Sequence, residues 1–355
     1  DVRPLRSSIL SAMKRILRFV LFSLLLFPTW VFAACDTPDP KVIDNPWLPS
    51  YAFTGKETSD TPLPVYCLGN NSWLLLGSIE QLSTENRGFN GNAGFIVTDE
   101  GVLVIDALGT PLLGQRMIAT IRSITDKPIR YLIITHHHPD HYYGVSPFRA
   151  IEGIQIIAHE GIDTYLASER FDGSVEYREG ILPEDMKGFS GDLPDVRMGA
   201  DTGDKYRLKL GGRIFEIYNV GRHHSDGDLV VYQVDHGYIW ASDLVFNQRV
   251  TFIGDGNSAE AVEQLEWLKT AFPSAKLMIP GHGGAQTPPF PMLEKTYDYI
   301  TRLRSIMTKA IEDDVELSDA LDLADFGDWD EARLYEENHR ANGSHIYREL
   351  EMELF

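Results

Sequence analysis

The chain has 355 residues, enough for one large domain or two small ones with a sizeable core. Its 43% hydrophobic and 11% aromatic content is typical of globular proteins and excludes a disordered chain. The formal net charge of −20 would repel a phosphate backbone, and it therefore argues against a nucleic-acid partner.

The N-terminal segment predicts an export signal. A basic start at Met13 is followed by a short apolar run at residues 19–27 and then by small residues, a pattern typical of a bacterial secretory signal. The run is shorter than the ~20 apolar residues that a membrane-spanning helix needs, which disfavours a membrane anchor. We therefore predict that translation starts at Met13, that residues 1–34 hold the upstream residues and the signal peptide, and that the protein is periplasmic or secreted.

The two cysteines leave two interpretations open. Cys35 follows the small residues of "FAA", so it is a candidate for lipidation and a lipid anchor. Alternatively, Cys35 and Cys67 form a disulfide of the kind found in exported proteins. Neither cysteine has a partner at metal-ligand spacing, so we expect no thiolate metal site.

The following chain alternates between strand and helix patterns. Residues 35–70 are rich in Pro, Asp and Asn and predict an extended lead-in, and short apolar runs from Ser72 onward predict strands joined by hairpins. The helices are predicted over residues 111–125, 160–170 and 258–270, with Pro111 at the start of the first and Ser258 as the cap of the last. A polar insertion runs to about residue 204.

This order of elements predicts an α/β fold with two packed sheets and helices outside them. We assign residues 71–290 to the sheet domain. From residue 291 the apolar spacing becomes helical, and we assign residues 291–355 to a helical C-terminal extension that packs on the domain. His236, His339 and His345 have polar, charged neighbours, so we expect them at the surface.

The stretch "THHHPDH" carries the clearest chemical signal, because it places four potential ligands directly after a predicted buried strand. Past the end of a strand the backbone can turn, so alternate side chains can face two different centres. Imidazole and carboxylate are the ligands expected for zinc in an open, catalytic site. The four candidates are His136, His138, Asp140 and His141. Three further candidates lie at later strand ends: His224, for which His223 is a rival, Asp243 and His282.

These motifs resemble those of a known family. "THHHPDH" resembles the H-x-H-x-D-H signature of the metallo-β-lactamase superfamily, and "GRHHSDGD", "WASD" and "IPGHGG" resemble its later ligand motifs in the same order. The resemblance covers residues 72–284 and implies an αββα sandwich with the metals at one edge. It implies that Asp106 holds the metal loop. It assigns His136, His138 and His224 to one zinc, Asp140, His141 and His282 to a second, and Asp243 to a bridge between them.

The resemblance also implies a mechanism. Two Zn²⁺ ions, with iron or manganese as alternatives, would share a hydroxide that attacks a small ester, thioester, lactone or lactam. Asp140 would be catalytic, because it can orient the hydroxide and take its proton. Asp243 resembles the bridging aspartate of the glyoxalase II branch, so ester or thioester cleavage ranks above β-lactam cleavage.

The stretch "SDLVFNQRVTFIGDGN" is similar to the quinoprotein relay system zinc metallohydrolases, which are periplasmic proteins associated with quinoprotein dehydrogenases and sulfur oxidation. Two alternatives therefore stay open beside the hydrolase. One is an iron-containing member in redox or sulfur metabolism. The other is a metal-binding relay partner of a periplasmic dehydrogenase, which would dock through residues 171–204 and the acidic tail.

One departure from the family concerns Tyr142 and Tyr143, where many relatives carry small residues. Two phenol rings at this place would either narrow or polarise the cleft, or pack as core aromatics.

Overall fold

The computed structural model describes residues 35–43, 53 and 55–354. The predicted signal peptide and part of the extended lead-in lie outside these residues. Among the helices within the described ranges, none combines the length and apolar character needed to cross a membrane.

The first sheet has seven strands that lie side by side in chain order. Neighbouring strands are antiparallel from β1 to β4 and parallel from β4 to β7. The strands are β1 (Tyr66–Gly69), β2 (Ser72–Leu75), β3 (Ala93–Val97), β4 (Val102–Ile105), β5 (Ile129–Ile134), β6 (Gln155–His159) and β7 (Val196–Met198).

Among the described residues, five helices follow the first strands of this sheet: α1 (Pro111–Ile124), α2 (Pro139–Tyr142), α3 (Val145–Arg149), α4 (Gly161–Leu166) and α5 (Glu169–Ile181). Helix α1 begins at Pro111 as predicted, because the Thr110 side chain accepts a hydrogen bond from Leu113 N. The first part of the polar insertion is helical and belongs to α5, which the sequence did not indicate. Its first turn is capped by Ser168, whose side chain accepts from Phe171 N.

The second sheet has five strands in the order β12-β11-β10-β9-β8. Its pairs are antiparallel except for β11 and β12, which are parallel and joined through helix α6. The elements are β8 (Lys205–Leu210), β9 (Arg213–Asn219), β10 (Leu229–Gln233), β11 (Tyr238–Phe246), α6 (Ser258–Ala271) and β12 (Leu277–His282). The cap of α6 is Asn257, whose side chain accepts from Glu260 N, so the prediction of Ser258 as the cap was wrong by one residue.

The C-terminal residues are helical, as the apolar spacing predicted. They form α7 (Pro291–Glu312), α8 (Leu317–Leu323), a 3₁₀ turn (Gly327–Trp329) and α9 (Tyr335–Leu354). His339 on α9 is buried, not at the surface as we expected. Its Nδ1 lies 3.0 Å from the Tyr299 hydroxyl, and its Nε2 contacts the Ala324 carbonyl.

Three apolar clusters fill the spaces between these layers. Successive strand residues point to opposite faces of a sheet, so Leu103 of β4 packs between the two sheets while its neighbour Val104 packs towards helix α1. The third cluster lies between the second sheet and helices α6, α7 and α9. The α/β class and the αββα sandwich with a helical C-terminal region are therefore confirmed.

The structure joins Cys35 and Cys67 by a disulfide, with their Cα atoms 5.5 Å apart. This bond uses the sulfur that lipidation of Cys35 would need, so the structure favours the disulfide interpretation.

Candidate metal centre

The predicted ligands lie in loops and strand ends of both sheets. The loop and short helix α2 after β5 carry His136, His138, Asp140 and His141, whereas His224 precedes β10. Asp243 lies within β11 and His282 is the last residue of β12. The sandwich brings these separate segments together, because each meets the others where the two sheets adjoin.

The seven side chains form three overlapping groups whose potential ligand atoms lie within 4.8 Å of one another. Asp243 belongs to the middle group, and its carboxylate is 3.2 Å from His224 Nε2 and 3.3 Å from His141 Nε2. The groups are His136–His138–His224, His136–His141–Asp243 and Asp140–His141–His282. The first and third are the two ligand sets that the resemblance implied.

Several atoms of this cluster fit a bound cation. His136 Nε2, His141 Nε2 and Asp243 Oδ1 are buried and have no hydrogen-bond partner among the described residues. Buried polar atoms seldom lack a hydrogen-bond partner, so three such atoms in one cluster suit coordination of a cation. The histidine and carboxylate donor set suits zinc and other transition-metal ions, and the residues present therefore fit the group that the family implies.

Burial and neighbouring charges set the protonation of the cluster. Burial holds the pKa of His136 well below its ordinary value, and nearby His141 lowers it further, so the nitrogen lone pair is available. Burial would raise the pKa of Asp140, but His141 and His282 outweigh it, and the pKa is lowered. The Asp140 carboxylate is therefore ionised near neutral pH.

Asp106 supports the loop that carries the candidate ligands, as the resemblance implied. Its Oδ2 lies 2.9 Å from His141 Nδ1, and its Oδ1 accepts a hydrogen bond of 2.8 Å from Thr135 N. A proton held on Nδ1 leaves Nε2 of His141 free to face the cluster. Asp106 has a φ of 61°, a left-handed conformation that is costly for a non-glycine residue and often found at functional sites.

Asp255 holds a second candidate ligand, His138, and no local sequence pattern indicated this role. Its Oδ2 lies 3.1 Å from His138 Nε2, while His138 Nδ1 lies 2.8 Å from His224 Nε2. Arg170 of helix α5 donates to the other oxygen of Asp255 at 3.2 Å. The insertion helix is thereby linked through one carboxylate to a candidate ligand.

The cluster opens into a cavity of about 330 Å³. Several residues lining it were missed in the sequence, because they become neighbours only when separate loops and helices meet. Asn90 is one of them, and its Nδ2 donates to Asp140 Oδ2 at 3.3 Å. The others include Ser174, Tyr177 and Arg178 of α5, Arg249 and Phe252 after β11, and Asn338 of α9.

Tyr142 and Tyr143 do not line this cavity. Both are fully buried, and Tyr143 stacks on Phe189 with ring centroids 4.4 Å apart. The Tyr142 hydroxyl donates to the Asp192 carbonyl, and the Tyr143 hydroxyl lies 2.9 Å from that of Tyr165. They are core aromatics, so the alternative that they narrow the cleft was wrong.

Two histidines next to the candidate ligands do not join the cluster. His137 points away from the cluster, stacking on Tyr165 at 4.0 Å and accepting a hydrogen bond from Asp226 N. His223 is buried and belongs to none of the three groups, so His224 is the member of the pair that faces the cluster.

Comparison with known proteins places this architecture in a family. Residues 86–282 match the model of the metallo-beta-lactamase superfamily. The metallo-beta-lactamase IND-1 of Chryseobacterium indologenes is 24% identical over 199 residues, which cover 55% of this chain and 73% of that protein.

Two solved structures share the fold. A metallo-beta-lactamase from Pontibacter korlensis has a TM-score of 0.51 at 18% identity and covers 67% of this chain and 98% of its own. A sec-alkylsulfatase from Pseudomonas sp. has a TM-score of 0.62 at 13% identity, over 80% of this chain and 50% of its own.

Proposed function

Because the chain belongs to the metallo-beta-lactamase superfamily, we propose that it is an exported hydrolase that holds two zinc ions and cleaves a small ester, thioester, lactone or lactam. The observation that carries this proposal is the set of converging, unpartnered ligand atoms at the floor of an open cavity. Its two outer groups have no residue in common, which supports two ions rather than one.

When bound, such ions would lower the pKa of a bound water to near neutrality, ~7, and would polarise a carbonyl. The protein contributes proton handling and orientation. Asp140 lines the cavity, and its Oδ2 is oriented by the Asn90 amide. Because its pKa is lowered, Asp140 is ionised near neutral pH, so Oδ2 can accept a hydrogen bond from the attacking water and orient it. Hydrolysis then breaks the bond between the acyl carbon and its leaving group, giving an acid and a thiol, alcohol or amine.

The carboxylate at position 243 supports ester or thioester cleavage over β-lactam cleavage. Asp243 lies between the two outer groups and can offer one oxygen to each, as a bridging ligand does. This carboxylate supports our proposal that the protein is nearer to the glyoxalase II-like branch than to the zinc β-lactamases.

The disulfide supports the proposed export. Disulfides persist in the periplasm and outside the cell, whereas cytosolic thiols are kept reduced. The Cys35–Cys67 bond therefore suits a periplasmic or secreted protein. A periplasmic dehydrogenase partner stays a prediction.

The test is metal analysis of the purified full chain together with a substrate panel. We expect two zinc ions per chain by mass spectrometry and hydrolysis of a thioester or ester that a chelator abolishes and added zinc restores. Nitrocefin turnover without thioester or ester activity would overturn the ranking of substrates. Iron with a visible absorption band would favour the redox alternative, and protein with neither stoichiometric metal nor any hydrolysis would refute the proposal.

A further inference from the structure

The C-terminal helix α9 contacts a loop that supports the candidate metal centre. This loop, residues 250–257, lies between strand β11 and helix α6, and we call it the β11–α6 loop. Helix α9 lies outside residues 86–282, the part of the chain that matches the superfamily model. The contacts between the helix and the loop are therefore a feature that the family match does not describe.

Polar side chains on one face of α9 bind the backbone of this loop. Asn342 makes two of these contacts: its Nδ2 donates to the Thr251 carbonyl at 2.7 Å, and its Oδ1 accepts from Ile253 N at 3.0 Å. An amide side chain carries both donors and an acceptor, so it can satisfy a carbonyl and an N–H of the same loop. The residues of this face are spaced four, three and four positions apart, which places them on one side of a helix: Asn338, Asn342, His345 and Glu349.

The two ends of the loop are held in the same way. Asn338 Nδ2 donates to the Val250 carbonyl at 3.2 Å, and Glu349 accepts from Ser258 N, at the start of α6, at 3.1 Å. Asn338, Asn342 and Glu349 are all buried. A buried backbone group without a partner costs about as much free energy as a lost hydrogen bond, so these side chains stabilise one conformation of the loop.

The loop in turn contacts two histidines of the first ligand group. The Phe252 carbonyl contacts His224 Nδ1, and Asp255 Oδ2 lies 3.1 Å from His138 Nε2. Each contact is made to one ring nitrogen and leaves the other ring nitrogen to face the cluster, where His138 Nδ1 and His224 Nε2 lie 2.8 Å apart. The loop therefore fixes the ring orientation of both histidines.

Gly256 brings the loop against the backbone of the same ligand. A Cβ at this position would lie 2.4 Å from the His223 carbonyl oxygen and 2.9 Å from His224 Cα, so only glycine fits. On its other side, the Gly256 carbonyl lies 3.2 Å from Nε2 of His345 on α9. Because this packing leaves no free space, a displacement of the loop would also displace His224.

The other outer ligand group is supported by residues that precede the loop or lie elsewhere. Asn247 N donates to the His282 carbonyl at 3.2 Å, and Arg249 contacts His282 Nδ1 at 2.8 Å. Asp140 accepts from the Asn90 amide. The contacts of α9 with the loop therefore bear most directly on the first group.

We propose that Asn342 and His345 of helix α9 are positioning residues for the metal centre. Through the β11–α6 loop they hold His138 and His224, and they thereby set the metal affinity of the His136–His138–His224 group. For the metal, the inference rests on the proposed function. It does not depend on which substrate is cleaved.

The first test is a titration of the full chain with Co²⁺, whose visible absorption reports the ligands around the ion. We expect Asn342→Ala to weaken the binding of one ion about tenfold, the lower end of the loss typical when the support of a ligand histidine is removed, and to weaken the other ion less. The spectral change should match that of His224→Ala, which removes a ligand of the first group. Equal weakening of both ions, or wild-type affinity for both, would overturn the proposal.

Two further variants separate positioning from general stability. Tyr347→Phe removes a 2.9 Å hydrogen bond from α9 to the Val315 carbonyl, and neither residue lines the cavity. It is the matched control and should leave the cobalt affinities and the spectrum unchanged. Asn338→Ala breaks fewer hydrogen bonds than Asn342→Ala, so it should give a smaller change of the same kind, and it replaces Asn342→Ala if that variant does not fold. If Tyr347→Phe weakened cobalt binding as much as the asparagine variants, the effect would be one of stability and the proposal would be overturned.

Hydrogen exchange of the metal-free protein distinguishes this inference from the proposed function. We expect Asn342→Ala to speed exchange about tenfold in peptides that cover residues 250–257, and Tyr347→Phe to leave these peptides unchanged. If wild type bound no metal and this pattern held, the proposed function would fail while α9 would still position the loop. Metal binding by wild type, with unchanged exchange in Asn342→Ala, would keep the metal centre and overturn the role of α9.

Discussion

Asp243 is the residue that connects the two outer ligand groups. We expect His224→Ala to lower the metal content by about one ion per chain, because His224 belongs only to the group with His136 and His138. Asp243→Ala should reduce metal binding at both outer groups, since the Asp243 carboxylate contacts a histidine of each group. Mass spectrometry measures the number of metal ions per chain in each purified variant. His223→Gln is the matched control for the neighbouring position, and loss of metal from this variant would contradict the choice of His224.

Asp255 gives a prediction about affinity. Carboxylates that hold a ligand histidine in position typically change metal affinity 10- to 100-fold when they are removed. We expect Asp255→Asn to weaken metal binding by about this amount in competition with a chelator, because His138 loses its charged partner. Arg170→Gln should have a smaller effect of the same sign, since Arg170 contacts Asp255 and Asp226 but acts on His138 through Asp255. Unchanged affinity in both variants would show that His138 needs no such support.

At the level of elements, strand β12 passes so close to β11 that only glycine fits at position 281. A Cβ there would lie 1.6 Å from Asp243 Oδ1. We expect Gly281→Ala to displace Asp243 and reduce the metal content, which mass spectrometry would detect. Full metal content in this variant would contradict the tight contact.

Helix α5 contains a glycine that, unlike Gly281, has space for a side chain. Gly173 lies within this helix, and a Cβ there would meet no atom within 4 Å. Alanine restricts the unfolded chain and favours helix, so Gly173→Ala should raise the free energy of unfolding by about 0.5–1 kcal/mol. Urea denaturation measures this change. A loss of stability would show that α5 is not a regular helix in solution.

For the whole molecule, the disulfide ties the lead-in to the first sheet. Cys35 and Cys67 are separated by 32 residues, and closing a loop of this length should stabilise the fold by about 3–4 kcal/mol. We expect a reductant to lower the free energy of unfolding of the wild type by this amount. The Cys35→Ser, Cys67→Ser double variant should be equally unstable with and without reductant. If the free energy of unfolding of the wild type did not change with reductant, the result would contradict the Cys35–Cys67 disulfide.

The C-terminal helix α9 predicts a pH dependence of stability. Burial lowers the pKa of His339 in the folded chain below its ordinary value of about 6.5. As the pH falls, this histidine is therefore protonated in the unfolded chain at a higher pH than in the folded chain. Stability from a neutral His339 is therefore lost as the pH falls through this window. We expect the stability difference between wild type and His339→Asn to shrink between pH 7.5 and pH 5, measured by urea denaturation of metal-loaded protein.

His345 on the same helix is the control of opposite sign. Its hydrogen bond to Glu349 raises its pKa, so the stability it contributes is fully present at low pH and is lost as the pH rises through the raised value. The difference between wild type and His345→Asn should therefore grow on acidification. If the stability difference changed with pH in the same direction for both variants, the net charge of the protein, and not these two side chains, would control its pH dependence.

Local patterns in the sequence determined much of this protein. The buried run before Thr135 predicted strand β5, and the ligand types after it predicted a metal loop. Pro111 marked the start of α1, because a proline is tolerated in the first turn of a helix. Spacing and residue chemistry are local properties, so they could be read without knowing which segments meet.

The tertiary structure alone decided which distant side chains join the site and which do not. Asp255, Arg178 and Arg249 carry no distinctive local pattern, and they reach the cavity only because α5 and the segment after β11 pack against the metal loop. Tyr143, two residues after a ligand, and His339, among charged neighbours, are both buried. A side chain's surroundings depend on sheet order and packing between elements, which one-dimensional spacing does not encode.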